Sequence, residues 1–175
     1  MTMAEGDRLR FRPARPADHG ACAEIFLAAR MWANPDIPAD RFAIEDFNLS
    51  TDDLEILVAE RGGLVVGFVG LDRAQRELSH LFVSPLEQGR GVGALLLAEA
   101  GRILGPGAHL LCDAQNSSVR EFYRAQGWVE ARESWGFVEF VRPMPAACRS
   151  LLPWAARCSP SEPARMACCH PQGLI

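Results

Sequence analysis

The sequence predicts one mixed α/β domain, in which a largely antiparallel central sheet carries helices on both faces. Short β-rich runs occur along the chain together with segments whose apolar residues recur at helical spacing. Arg61-Gly62-Gly63 joins two of the β-rich runs through a short glycine turn, which is typical of a hairpin. The 175 residues can form one domain with a substantial core, and two full domains would be cramped.

The first half of this domain is predicted to contain a strand, two helices and a hairpin. Leu9–Arg12 alternates apolar and basic residues, as a half-buried strand does, and Pro13 ends it. Apolar residues at helical spacing predict a helix over Asp18–Ala33, and a second helix fits Ala39–Leu49. The two strands of the hairpin are predicted at Leu54–Glu60 and Leu64–Asp72.

The second half is predicted to alternate strands with two further helices. One helix begins at Gly91 and ends at Gly105-Pro106-Gly107. In the other helix, Ser118 and Glu121 have the spacing of an N-terminal capping box, and Gly127 is the expected C-terminal stop. The strands of this half are predicted at Arg76–Val83, Ala108–Asp113, Trp128–Glu133 and Gly136–Val141.

The character of the chain changes after Pro143, where prolines recur without a sustained apolar period. We therefore predict a folded domain over residues 1–143 and an irregular or disordered tail over residues 144–175. Leu151, Leu152 and Trp154 form the concentrated apolar group of this tail. They could dock on the domain or on a partner subunit, which leaves a homodimer open.

Charge and composition exclude several classes of partner. The formal net charge is −4, and the chain has no basic stripe that would bind nucleic acid. No apolar run approaches the length that crosses a bilayer, and the N-terminus lacks the plan of a secretory signal, so we expect a cytoplasmic protein with no membrane partner. Its six cysteines are then expected to be free thiols. Cys158, Cys168 and Cys169 match no zinc spacing, so no metal is expected.

A glycine-rich turn between a predicted strand and a predicted helix indicates a binding site. In Gln88-Gly89-Arg90-Gly91-Val92-Gly93 the backbone amides can face inward because glycine has no Cβ, and the helix N-terminus adds its dipole. This arrangement favours a phosphate or diphosphate ligand. The alternative is a turn that merely starts a helix.

The same turn also fits a dinucleotide-binding fingerprint. The residues from Gly89 to Ala94 satisfy G-x-G-x-x-G/A, and Asp113 follows Gly93 by 113 − 93 = 20 residues. Glu77 in the preceding strand weighs against this hypothesis, because a central strand of the dinucleotide fold should be apolar on both faces. The position of the motif in mid-chain also leaves too few residues for the remaining βα units.

Two segments resemble the signature motifs of the GCN5-related N-acetyltransferase (GNAT) superfamily. Gln88-Gly89-Arg90-Gly91-Val92-Gly93 looks like the Q/R-x-x-G-x-G/A motif of that family, and it follows a strand that ends in Leu81-Phe82-Val83-Ser84-Pro85. Residues 116–128, NSSVREFYRAQGW, are similar to the second family segment, with Trp128 in place of the usual phenylalanine. The resemblance spans about residues 8–142. It implies a GNAT fold with a parallel splay between the fourth and fifth strands.

The resemblance also implies an activity and a set of binding residues. It implies an N-acetyltransferase that moves an acetyl group from acetyl-CoA to a primary amine of a small molecule or peptide by direct attack. Asn116 would lie near the pantetheine arm of the coenzyme and Tyr123 near its sulfur. The implied coenzyme-binding residues are Phe82, Val83, Gln88, Gly89, Arg90, Gly91, Val92, Gly93, Asn116 and Phe122.

Tyr123 and Glu77 are the predicted acid and base of this reaction. An ammonium must lose a proton before it attacks a thioester, and the departing thiolate must gain one. Tyr123, the one tyrosine of the chain, offers a neutral phenol as donor, with packing beside Phe122 as the alternative role. Glu77 resembles in position the strand glutamate that is the base in histone-modifying members of the family. Its alternative role is a solvated carboxylate at the strand end, paired with Arg76 or Arg73.

The base has two alternatives, His80 and water. Strand alternation predicts that Glu77 shares a face with Ser79, Leu81 and Val83, and that His80 points the other way with Leu78 and Phe82. On this prediction only one of Glu77 and His80 can easily point at the substrate.

The acceptor amine is not determined by the sequence. An acidic stretch would suit a cationic amine but is equally typical of a solvated face: Asp36, Asp40, Glu45, Asp46, Asp52 and Asp53. Trp32, Phe42 and Phe47 either line an acceptor pocket or pack in the core. A non-catalytic coenzyme-A-binding module is the alternative function, although such a module has no need of the Tyr123 phenol.

Overall fold

The structure, a computed structural model, describes residues 8–143, so the predicted tail at residues 144–175 lies outside the described residues. The described chain contains a seven-stranded sheet and four α-helices. The strands are β1 (Arg10–Pro13), β2 (Glu55–Arg61), β3 (Leu64–Asp72), β4 (Glu77–Val83), β5 (His109–Asp113), β6 (Val129–Ser134) and β7 (Phe137–Val141). The helices are α1 (His19–Ala33), α2 (Asp46–Thr51), α3 (Val92–Leu104) and α4 (Ser117–Ala125).

The strands lie in the order β1-β2-β3-β4-β5-β7-β6. All neighbouring strands are antiparallel except β4 and β5, which are parallel and pair at one position, Glu77 with His109. This topology confirms the predicted mixed fold with a largely antiparallel sheet and a parallel splay. The dinucleotide hypothesis is wrong, because the strand before the glycine turn has an antiparallel neighbour and not two parallel ones.

Helices cover both faces of the sheet, as predicted. α3 and α4 pack on one face, and we call the core there the α3-side cluster; it includes Leu96, Leu97, Tyr123 and Phe140. α1 and α2 pack on the other face, and the core there, the α1-side cluster, is built around Phe26, Phe47, Phe68 and Phe82. Phe47 is therefore a core residue, whereas 63% of Trp32 is exposed.

A β-bulge in β4 overturns the predicted alternation along that strand. Gly70 of β3 pairs with His80 and Leu71 pairs with Leu78, so Ser79 is the extra residue. Leu78 consequently joins Leu81 in the α3-side cluster. The prediction that Leu78 shares the face of His80 is wrong, because one inserted residue reverses the facing of every residue before it.

The bulge also changes the predicted facing of Glu77. Successive strand residues point to opposite faces, so Glu77 lies on the face opposite Leu78. That face carries Phe82, which belongs to the α1-side cluster, and the ring of His80, which lies 5.9 Å from the Phe82 ring. Glu77 and His80 thus share a face, contrary to the sequence-based prediction.

Two helix starts differ from their predicted positions. The chain forms a 3₁₀ turn at Ala39–Arg41 and then α2, in place of one helix over Ala39–Leu49, because Phe42 between them has an extended backbone. Asn116 caps α4 by accepting a hydrogen bond from the Val119 amide at 3.2 Å. Ser118 therefore lies inside the helix, and the predicted capping box is wrong.

Arg12 ties the first strand to two neighbouring elements. Its guanidinium donates to both oxygens of Asp18, at 2.6 and 3.0 Å, and to Glu60 of β2 at 2.7 Å. The Arg15 amide also donates to Asp18 at 2.6 Å. These hydrogen bonds, led by the one from Arg12, lower the pKa of Asp18 to about 2.

We predict that Asp18→Asn lowers the free energy of unfolding by about 2 kcal/mol at pH 7. Because the folded-state pKa of Asp18 lies below its ordinary value of 3.8, the stabilisation is present above about pH 4 and is lost as the pH falls toward 2. Urea unfolding from pH 7 to pH 2 should show the two proteins converging. Asp36→Asn, at an exposed position, is the control, and a constant difference between wild type and Asp18→Asn across this range would contradict the prediction.

Candidate functional site

A cavity of about 120 Å³ lies where β4 ends and α3 begins. We call it the glycine-loop cavity. Its walls come from the end of β4, the glycine turn, the first turn of α3 and one residue of α4: Val83, Glu87, Gln88, Gly89, Gly91, Val92, Gly93, Ala94 and Phe122. Since Val83 and Val92 belong to the α3-side cluster, the cavity opens on that side of the sheet.

Glycine at positions 89 and 91 allows the backbone conformation of the turn and leaves its amides accessible from the cavity. Their φ angles are +72° and +78°, in the left-handed region that favours glycine. A Cβ built on either residue would meet nothing within 4 Å, so the space beside them is open. Gly91 is also the N-cap of α3, which is 13 residues long. An exposed glycine backbone at a helix N-terminus fits an anionic group such as a diphosphate.

Glu87 is a cavity residue that the sequence analysis missed. Its carboxylate pairs with Arg61 at the end of β2 and, at 3.2 Å, with Arg90 of the glycine turn. Its amide donates to the Ser84 carbonyl at 2.8 Å. The turn is thereby fixed to the β2–β3 hairpin, a long-range contact that no local sequence pattern announces.

Gly67 of β3 allows close packing next to the cavity residue Val83. It pairs with Val83, and a Cβ at this position would lie 2.9 Å from the Phe82 carbonyl oxygen and 3.0 Å from Leu96. Only glycine therefore lets β3, β4 and α3 approach this closely.

Tyr123 lies in the α3-side cluster, next to the cavity residue Phe122. Its ring centroid is 5.3 Å from the centroids of both Phe122 and Phe140, and the residue is 1% exposed. Burial, with a smaller effect from Cys112, raises the pKa of Tyr123 above its usual range. The phenol is therefore neutral at physiological pH.

Glu77 lies at the closed end of the splay between β4 and β5. One carboxylate oxygen accepts from the Ser79 hydroxyl at 3.3 Å, and the other lies 3.9 Å from Nε2 of His109. The side chains of Glu77 and His109 are 28% and 26% exposed. The Glu77 carboxylate is therefore partly open to solvent.

His80 has a different environment. It is 8% exposed, its Nε2 lies 3.0 Å from the Ser50 carbonyl oxygen, and its ring packs against Phe26 and Phe82. Burial lowers the pKa of His80, which favours the neutral imidazole. With its nitrogen engaged by Ser50, His80 ties α2 to β4.

Three of the predicted coenzyme-binding residues do not line the cavity. Phe82 points to the α1 side and stacks on Phe68 at 5.6 Å. Arg90 is exposed and pairs with Glu87. Asn116 caps α4. The structure thus brings Val83, Gln88, Gly89, Gly91, Val92, Gly93 and Phe122 together at the cavity.

The described residues, 8–143, contain neither a candidate metal site nor a membrane-spanning helix. No group of three or more histidine, cysteine or acidic residues there could hold a metal ion. No helix in this part of the chain is long and apolar enough to span a membrane.

Comparison with known proteins shows which family this chain matches. The family model of the acetyltransferase (GNAT) domain matches residues 37–145. Sequence comparison with curated proteins gives no match. Among solved structures, PaiA N-acetyltransferase of Thermoplasma acidophilum in complex with coenzyme A is similar with a TM-score of 0.64, at 19% identity over 78% of this chain and 99% of that chain.

Two further structures show the same fold. YjaB of Escherichia coli, in its apo form, has a TM-score of 0.63 at 18% identity, over 77% of this chain and 97% of its own. YncA of Salmonella typhimurium, a putative acetyltransferase with its cofactor acetyl-CoA, has a TM-score of 0.52 at 21% identity, over 79% of this chain and 96% of its own.

We predict that the Tyr123 phenol of the folded, ligand-free protein does not ionise near pH 10. Its folded-state pKa is raised, so its contribution to stability is complete below the unfolded value of about 10 and is lost as the pH rises further. Tyrosinate absorbance, which can come only from Tyr123, should appear together with alkaline unfolding. The same protein in denaturant provides the reference titration. Tyrosinate formation near pH 10 in folded protein would show that water reaches the phenol.

Proposed function

The chain belongs to the GNAT acetyltransferase family, and from this premise we propose that it transfers the acetyl group of acetyl-CoA to a primary amine of a small molecule or peptide. The observation that carries the proposal is the arrangement around the splay. The glycine-loop cavity lies on the α3 side of β4, and the partly exposed Glu77 carboxylate lies on the α1 side. Two substrates can therefore approach the gap between β4 and β5 from opposite faces of the sheet.

Acetyl-CoA fits the glycine-loop cavity through its diphosphate. The amides around Gly89 and Gly91 and the N-terminus of α3 would hold the phosphates, as an exposed glycine backbone at a helix start does for other anions. Glu87 keeps the turn in place through Arg61, and Phe122 supplies an apolar wall. The proposed site has three outer residues that do not line the cavity: Phe82, Arg90 and Asn116.

The splay supplies the second part of the coenzyme site. β4 and β5 pair only at Glu77 and His109, so the later main-chain groups of β4 on that edge have no partner in β5. Backbone groups of an extended strand pair readily with another extended, amide-bearing chain. The pantetheine arm, which carries such amides, would lie along β4 and place the thioester in the gap.

In the overall reaction the amine nitrogen gains the acetyl group, the thioester C–S bond breaks and the coenzyme leaves as a thiol. Tyr123 is the proposed proton donor to the leaving sulfur. A phenol is neutral at physiological pH and has one O–H to donate. The Tyr123 ring packs beside that of Phe122, a cavity residue, which supports a position near the coenzyme arm.

Glu77 is the proposed acceptor of the amine proton. Its carboxylate is exposed on the α1 side, whereas the competing base His80 is enclosed by Phe26 and Phe82 and engaged by Ser50. A positioned base of this kind typically contributes 10² to 10⁴-fold to the rate. The exposure of Glu77 and the enclosure of His80 thus favour Glu77.

We predict that Gly91→Val abolishes coenzyme binding while the protein stays folded. The valine side chain would enter the open space of the cavity, and the left-handed backbone would cost roughly 1–2 kcal/mol. Gly127→Val is the matched control, because Gly127 also has a positive φ (+80°) with open space beside it but does not line the cavity.

Thermal unfolding with coenzyme A measures this difference. A ligand at about 100 times its dissociation constant adds roughly 2.7 kcal/mol to the free energy of unfolding. Wild type and Gly127→Val should show this stabilisation and Gly91→Val should not. NAD should stabilise none of the three, and stabilisation by NAD but not by coenzyme A would refute the proposed ligand.

We predict that Tyr123→Phe lowers kcat about 100-fold and leaves the Kd for coenzyme A unchanged, because it removes the proton donor and keeps the ring. Thiol release from acetyl-CoA across a panel of amines tests the function, and the best amine then serves for the variants. Trp128→Phe, which alters packing beside Tyr123 but keeps the phenol, should retain activity. Unchanged turnover in Tyr123→Phe would leave Tyr123 a packing residue. Binding of coenzyme A without thiol release from any amine would indicate a non-catalytic module.

A further inference from the structure

We propose that His109 is a positioning residue for Glu77 that receives the amine proton from the Glu77 carboxylate and restores its charge. The inference rests on the proposed function and concerns the proton path on the α1 side of the sheet. His109 lies far from Glu77 in the sequence and belongs to neither signature motif.

The parallel pairing of β4 and β5 fixes the two side chains side by side. Glu77 and His109 form the one register pair between these strands, and the His109 amide donates to the Arg76 carbonyl at 3.0 Å. Leu110 and Cys112 of β5 belong to the α3-side cluster, so His109 points to the opposite face, where Glu77 also lies. The pair is therefore built by the backbone at the point where the strands begin to diverge.

The two oxygens of Glu77 have different neighbours. Oε1 accepts from the Ser79 hydroxyl at 3.3 Å, and Ser79 is the bulged residue that β3 leaves unpaired. Oε2 faces Nε2 of His109 at 3.9 Å. This gap is too long for a direct hydrogen bond, but a small rotation of the carboxylate or one bridging water closes it.

No other charged group beside Glu77 in the described chain is placed to accept its proton. Asp72 lies across from Glu77 on β3, but its Oδ1 accepts from the Gln75 amide in the β3–β4 turn. Arg76 donates to the Pro106 carbonyl. On the β7 side His109 pairs with Val141, which has no titratable group.

His109 has the chemistry that the proton path requires. An ammonium N–H proton passes to Glu77 Oε2, which becomes a neutral carboxyl group. The proton then passes to Nε2 of His109, whose ring becomes imidazolium. Because about a quarter of this side chain is exposed, the ring can release the proton to solvent. Because imidazole is a stronger base than carboxylate, this second transfer makes removal of the proton from the amine more favourable than Glu77 alone would.

The test uses steady-state thiol release with the full chain and the best amine. His109→Gln should lower kcat about tenfold and leave the KM for acetyl-CoA unchanged. Glu77→Gln should lower kcat further, and the double variant should be no slower than Glu77→Gln, because His109 acts through Glu77. In His109→Ala, imidazole added to the buffer should restore turnover in a saturable manner. His19→Ala, at an exposed histidine on α1, is the control. It should keep the wild-type kcat, and added imidazole should not change its turnover.

Each other outcome overturns the inference. Full activity of His109→Gln, additive effects in the double variant, or a loss in His109→Ala that imidazole does not restore would show that His109 has no part in the proton path. A melting temperature for His109→Gln far below that of wild type would make its role structural. A wild-type protein that releases no thiol with any amine would refute the proposed function together with this inference, whereas an active wild type with unaffected His109 variants refutes the inference alone.

Discussion

The single register contact between β4 and β5 is the constraint on which the site depends. Parallel strands in a continuous sheet would satisfy each other's backbone groups, whereas these two strands pair at Glu77 and His109 and then separate. The separation leaves one edge of β4 unpaired inside the sheet. The β4 backbone groups that face this gap have no partner in β5.

The bulge at Ser79 determines which side chains of β4 point to each face of the sheet. After it, Leu81 and Val83 point to the α3 side, where the glycine-loop cavity lies. Before it, Glu77 is turned to the α1 side beside His109, in a position that regular alternation would have denied it. One inserted residue thus places the glycine-loop cavity and the Glu77 carboxylate on opposite sides of the same strand.

Rigidity around the cavity comes from contacts distant in sequence. Arg61 of the β2–β3 hairpin holds Glu87 of the glycine turn, and Gly67 of β3 lets Phe82 and Leu96 close in beneath it. On the far side of the sheet, His80 fastens α2 to β4 through Ser50. Contacts of this kind attach the glycine turn to β2, β3 and α3.

The sequence by itself determined the features that short segments encode. Apolar periods located α1, α3 and most strands to within a few residues, and the residues from Gln88 to Gly93 identified the turn, because the need for glycine at a positive φ is a local property. The tertiary structure alone decided which side chains meet. The Ser79 bulge appears only when β3 and β4 pair, and Glu87 and His109 meet Arg61 and Glu77, which are distant in the chain. Likewise, the burial of Tyr123 follows from the joint packing of α4, β5 and β7, so no local pattern could state its environment.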